Sequence, residues 1–296
     1  MKISTFNKSL YMVGVLFALG LIALNSTPAS SESNLNGKFL PSINDYRHPS
    51  KAFSDSSLCT YFFGFNTAKA PFDRLKVRQA FIAAIDREVI ADYLGDNTAP
   101  AMTFTPPGVF GHVDGFSENV GIPFNVNQAK QWLSDAGYPD GQGFPYTHIE
   151  FAGETTYKNE MIAPQVVQGD LYKNLNIDTE LVINELGDFL YRLQNDPPEV
   201  WHIYWCDEQI KTQDAYYFLN DAIDELKVAL GNWDNAAYES LISQAAGTSD
   251  LNLRKSLYKQ AEEILVETEA VVWPIHYSGV LSPKYDHFVF LPVVLK

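Results

Sequence analysis

Six histidines and two cysteines are the side chains best suited to chemistry in this 296-residue sequence, and their spacing limits what they can do. His48, His112, His148, His202, His276 and His287 stand singly, with no His-x-x-x-His and no Cys-x-x-Cys. A zinc centre gathers ligands at turn or helical spacing, so each histidine reads as a surface or core side chain rather than a metal ligand. No Gly-x-Ser-x-Gly is present to form a nucleophile elbow. Gly108, Gly111 and Gly115 do not follow a strand in the phosphate-cradling pattern, so no nucleotide cofactor is expected. Cys206 lacks any local signature of a thiol nucleophile. The residues point to binding rather than catalysis, without metal or cofactor.

Composition narrows the partners. Hydrophobic residues make up 46% and charged residues 19%, which are globular values, and the aromatic share of 14% is high enough to line binding surfaces. The formal net charge is -15, so nucleic acid and anionic lipid are poor partners. Residues 1–29 read as a signal peptide: Lys2 and Lys8, an apolar run over 10–24 that is shorter than the roughly 20 residues a membrane span requires, and small residues before a cut near Ala29. No cysteine stands directly after the run, which argues for a soluble protein of a Gram-negative periplasm rather than a lipid-anchored one. Residues 30–57 read as a linker and 58–296 as the folded region. In an oxidising compartment Cys59 and Cys206 are either a disulfide or two buried thiols, and spacing alone leaves both open.

Strands alternating with helices must position these residues. Residues 59–66 are aromatic and β-prone, and apolar residues at helical spacing predict one helix over 75–94, capped by Asp73. Asn125 with Gln128 predicts a second helix start, stopped by Gly137. Further strands are expected at 146–151, 178–183, 200–205, 271–277 and 287–291. Helices are expected at 157–175, 186–194, 236–246 and 252–267. The pattern predicts an α/β architecture with a largely open sheet.

Four ordered segments carry a family resemblance. The first is Tyr61-Phe62-Phe63-Gly64-Phe65-Asn66-Thr67, then Ala70-Pro71-Phe72-Asp73, Val77-Arg78-Gln79-Ala80 and Ala84-Ile85-Asp86-Arg87. The second spans 127–145 with Ala136-Gly137-Tyr138-Pro139-Asp140-Gly141, the third 205–219 and the fourth 254–275. Together they resemble solute-binding protein family 5, the peptide-binding proteins of bacterial ABC importers, over about residues 59–290. The resemblance implies a periplasmic-binding-protein-like α/β fold (type II, cluster C), here the second lobe plus the C-terminal segments of a truncated clamshell.

Functional roles follow from the same resemblance. It implies a strand at His202, Ile203, Tyr204 and Trp205 that pairs with the main chain of a peptide, with the Trp205 ring lining the pocket. It assigns the acid that holds the peptide ammonium to Glu208, with Asp207 as neighbour, and it implies a Cys59–Cys206 disulfide. The implied partners are a peptide ligand and an ABC transporter permease. A chain lacking the first lobe is expected to bind peptide weakly. The alternative is an interaction protein that docks on a permease or pairs with a separately encoded first lobe, and an enzyme using Cys206 is a remote third reading.

Overall fold

The computed structural model describes residues 58–95, 97–153, 161–196 and 202–279. The expected signal peptide, the linker and the strand at 287–291 lie outside the described residues. Within them, β1 (Cys59–Phe65), β2 (Thr98–Pro100), β3 (Thr147–Ala152), β4 (Thr179–Asn184), β5 (Ile203–Gln209) and β6 (Val272–Ser278) form one mixed sheet in the order β2-β6-β1-β5-β3-β4. β1 lies antiparallel to both β5 and β6, whereas β3 runs parallel to β5 and β4. The parallel half is built by a β3-helix-β4 crossover, the connection that parallel neighbours require.

Helices cover both faces. Of α1 (Leu75–Ala83), α2 (Arg87–Leu94), α3 (Gly115–Glu118), α4 (Val126–Asp135) and α5 (Ile162–Leu175), α1, α4 and α5 pack with Phe63, Phe65, Ile149, Ile203 and Trp205 into one core. On the other face Phe62 and Tyr204 meet α6 (Leu186–Asn195), the π-helical turn Tyr217–Ala222 leading into α7 (Ile223–Glu225), α8 (Ala236–Gly247) and α9 (Leu251–Glu263). Period-2 alternation along β1 and β5 sorts their side chains between these two cores. The α/β layering expected from the alternating pattern is therefore present.

Two expected elements change shape. The helix over 75–94 breaks into α1 and α2 (Arg87–Leu94), because Asp86 takes extended dihedrals and accepts from the Glu88 and Val89 amides, capping a new helix inside the apolar period. Its first turn starts from Arg74, not from an Asp73 cap. The strand expected to end at Trp205 continues to Gln209, four residues that are polar enough to resemble a loop in sequence. The cap at Asn125 holds, its side chain accepting from the Gln128 amide, and Gly137 adopts a positive φ of 93° just beyond α4.

The arginines of the family-like segment are structural clamps. Arg78 is buried and donates to the Phe72 and Glu269 carbonyls, and buried Arg87 donates to those of Pro274 and Ile122. Arg78 satisfies carbonyls of residues just before α1 and just before β6, and Arg87 reaches the Pro274 carbonyl within β6, which ties α1 and α2 to β6 and the segment leading into it. Gly64 serves β1 differently: it faces Tyr204 across the strand pair, and an added Cβ would meet the Tyr204 ring at 2.1 Å. Only glycine leaves room for that ring.

Candidate functional site: an open half-edge on β5

β5 differs along its length. At Ile203, Tyr204 and Trp205 it is paired on both sides, with Phe65, Gly64 and Phe63 of β1 and with Ile149, Glu150 and Phe151 of β3. His202 is also engaged, its carbonyl accepting from the Asn66 amide. The edge expected at His202 to Trp205 is therefore taken by the protein's own strands. Beyond Trp205, residues 206–209 keep β1 on one side, and no strand pairs with them on the other among the described residues. The free edge lies one half-strand further along than the sequence suggested.

The side chains follow that division. Ile203 and Tyr204 are fully buried core residues on opposite faces, out of reach of any ligand. His202 belongs to a polar chain at the start of the strand: its Nδ1 lies 3.0 Å from Nδ1 of His148, whose Nε2 lies 2.9 Å from Glu150. Burial opposes charge on Glu150, but its bonds to His148 and the Arg192 guanidinium, 3.0 Å away, hold the carboxyl below its usual range. An ionised Glu150 only accepts, so His148 donates to it through Nε2. Burial, then Lys69 and His148, push the His202 pKa down to about 4, which keeps it neutral.

At the free end, three rings form a row across three strands. The Tyr61 ring stacks on His276 at 4.4 Å between centroids and lies 5.7 Å from Trp205, which packs on Phe63 at 4.5 Å. His276 is buried with its Nδ1 unpartnered, and burial holds its pKa down at about 3, so the row is uncharged. Asp207, two residues on, shares the face of Trp205; Glu208 points to the other face. Burial raises both carboxyls above their ordinary range. Glu208 accepts from the Tyr217 hydroxyl and lies 3.5 Å from Lys211 Nζ, while Asp207 is bonded by the Gln209 side chain. The two acids thus flank the open edge from opposite faces of one strand.

The expected disulfide is corrected. Cys59 and Cys206 are both free thiols. The register pairs Cys59 with Gln209 and Cys206 with Phe62, an offset of three positions or about 10 Å along the strands. An odd offset also places the two side chains on opposite faces, whereas a disulfide needs facing Cβ atoms and Cα atoms within about 7 Å. Cys59 instead lies 3.0 Å from the Ser278 hydroxyl, and burial with the nearby Asp207 charge pushes its pKa up to about 12. Such a thiol stays protonated and unreactive. No group of three or more metal-ligating side chains gathers among the described residues.

Comparison with known proteins places the fold. Residues 22–223, more than half of the chain, match the family described as bacterial extracellular solute-binding proteins, family 5 Middle. The chain belongs to this family. Heme-binding protein A of Haemophilus influenzae is 28% identical over 239 residues, which is 78% of this chain and 42% of that protein. The periplasmic oligopeptide-binding protein OppA of Escherichia coli is 27% identical, covering 77% and 41%. Dipeptide-binding protein DppE of Bacillus subtilis is 31% identical, covering 73% and 40%. The chain thus spans about two-fifths of the length of these curated relatives, all named for what they bind. Among solved structures, a periplasmic oligopeptide-binding protein from Borrelia burgdorferi superposes with a TM-score of 0.66 at 24% identity, over 80% of this chain and 47% of that one. A dipeptide-binding protein from Pseudoalteromonas sp. SM9913, in complex with Met-Leu, superposes with a TM-score of 0.62 at 26% identity, over 75% and 43%. The fold is that of the periplasmic binding proteins.

Sequence reasoning set Asp207 and Glu208 just beyond a strand ending at Trp205, and the structure places all three on β5. It missed Tyr61 and His276, the other two rings of the row. Alternation along β1 would have found Tyr61, because it shares a face with Phe63 and Phe65. His276 carries no such signal, since the sequence does not show that β6 pairs with β1.

Proposed function

We propose that this chain is the substrate-binding component of a peptide ABC importer, working in the periplasm after removal of residues 1–29, and that it binds without catalysing. The observation that carries the reading is the unpaired half-edge at residues 206–209, flanked by the Trp205 ring and by the Asp207 and Glu208 carboxylates. An extended peptide adds there as a further strand, its main chain bonding to the free groups and its side chains left to roomy surroundings. Glu208, with Asp207 as neighbour, receives the peptide ammonium. Burial already works against the negative charge of both acids, so an arriving cation relieves a cost the empty site carries. The relatives named for oligopeptide and dipeptide binding support the peptide as cargo. The permease partner follows from the family.

One lobe covers one side of such a peptide. With the β5 edge, the Trp205 ring and the two acids as the groups available among the described residues, the affinity expected of this chain alone is around millimolar, about -4 kcal/mol. A first lobe supplied in trans restores the second face and raises it. Calorimetric titration of tri- to pentapeptides into the chain alone, and into the chain with such a lobe, tests both statements. Micromolar binding by the chain alone that ignores Trp205→Ala and Glu208→Gln contradicts the reading.

A further inference from the structure

A cavity lies on the face of the sheet opposite the Trp205 row, in the layer formed by the π-helical turn Tyr217–Ala222, α7 and α8. Its volume is about 390 Å³, within the range of small-ligand sites. Ile223, Leu230 and Ile242 contribute apolar floor, and Tyr216, Trp233 and Tyr238 contribute aromatic walls. Trp233 meets Tyr238 edge to face, with centroids 5.1 Å apart, and the Tyr238 hydroxyl is tied to the Leu219 carbonyl at 2.5 Å, so both rings are held in place.

The rim decides what fits. Asp224, Asp234 and Glu239 line it, against a single Lys227. None of these three carboxylates takes part in an ion pair or a side-chain hydrogen bond among the described residues. Other acids of the chain are neutralised where they are needed: Glu150 by Arg192, Asp214 by Arg254 and Glu118 by Lys259. Here a net negative rim surrounds ring faces that are themselves attractive to cations. An anion meets repulsion at this mouth, and a neutral apolar molecule leaves the acids unused.

We propose that this cavity binds an alkylammonium group, a protonated amine carried on a short apolar stem. The ammonium sits among Asp224, Asp234 and Glu239, and the stem lies over Trp233 and Tyr238. Two sources share that chemistry, a free amine and the lysine side chain of a docking protein. The site is independent of the β5 edge and stands whether or not that edge holds peptide.

The test titrates the full chain with cadaverine and, separately, with Nα-acetyl-lysinamide, read by calorimetry and by the Trp233 indole resonance, which Trp233→Phe assigns. Saturable binding of either probe at or below about 1 mM is expected, with about a tenfold weakening in the Asp234→Asn/Glu239→Gln double variant and in high salt. Cadaverine binding about tenfold better than the lysine analogue assigns the pocket to free amines. Equal or weaker cadaverine binding assigns it to a partner's lysine. Asp207→Asn/Glu208→Gln should leave the Trp233 resonance shift unchanged with both probes, which separates this site from the peptide edge. No saturable binding of either probe up to about 10 mM, or binding that persists undiminished in the Asp234/Glu239 variant, overturns the proposal.

Discussion

The two halves of β5 show how one strand serves as both core and binding edge. Its first half, through Trp205, is apolar, paired on both sides and fully packed between two helical layers. Beyond the end of β3 at Ala152 its second half has no strand on that side among the described residues, and it carries Cys206, two acids and an amide. The paired half fixes the position of the free half to within a strand register. The free half keeps main-chain groups available at little cost, because water can satisfy them until a ligand arrives. Stability and binding should therefore separate along this one strand, and substitutions on either side of Trp205 test that separation.

The largest stability effect is expected at the boundary. Trp205→Ala removes a ring packed on Phe63 and Tyr61 and should cost about 3–5 kcal/mol by urea unfolding. Gly64→Ala follows at about 3 kcal/mol, because its Cβ would collide with a Tyr204 ring that has no free space to move into. A smaller loss, on the order of 2 kcal/mol, is expected on acidification. The His202 pKa is about 4 when folded and near 6.5 when unfolded, so the unfolded chain holds the extra proton between those values. That contribution is complete above pH 6.5 and disappears as the pH falls to about 4. Unfolding curves of the wild type and His202→Gln should converge over this window, and parallel curves would show that the histidine pair carries no such energy.

On the free half the pattern reverses. Asp207→Asn should change stability by less than about 1 kcal/mol, since it removes a charge that burial already disfavours, yet weaken peptide binding about tenfold. The smallest effect belongs to Tyr204→Phe. The Tyr204 hydroxyl is buried without a partner, so its removal should be neutral or slightly stabilising, and a loss above about 1 kcal/mol would reveal a bond the structure lacks.

Local rules made much of this fold legible. Aromatic, β-prone residues located β1, alternation located β3, and the Asn125 cap located α4. The break at Asp86 was hidden because the apolar period runs on through it while the cap acts only on backbone amides. β5 beyond Trp205 was hidden because its β-structure comes from pairing with β1, a contact more than a hundred residues away in sequence, and not from the propensity of Asp, Glu and Gln. The same non-local register kept the cysteines apart and brought His276 beside Tyr61. Acids after a tryptophan were visible; which edge they flank was not.

Amide hydrogen exchange on the full chain, with and without a saturating short peptide, tests the central claim most directly. Added-strand binding predicts new protection confined to residues 206–209, with residues 203–205 protected equally in both states because β1 and β3 already cover them. Unchanged exchange at 206–209, with protection appearing elsewhere, would contradict the assignment of this half-strand as the peptide edge.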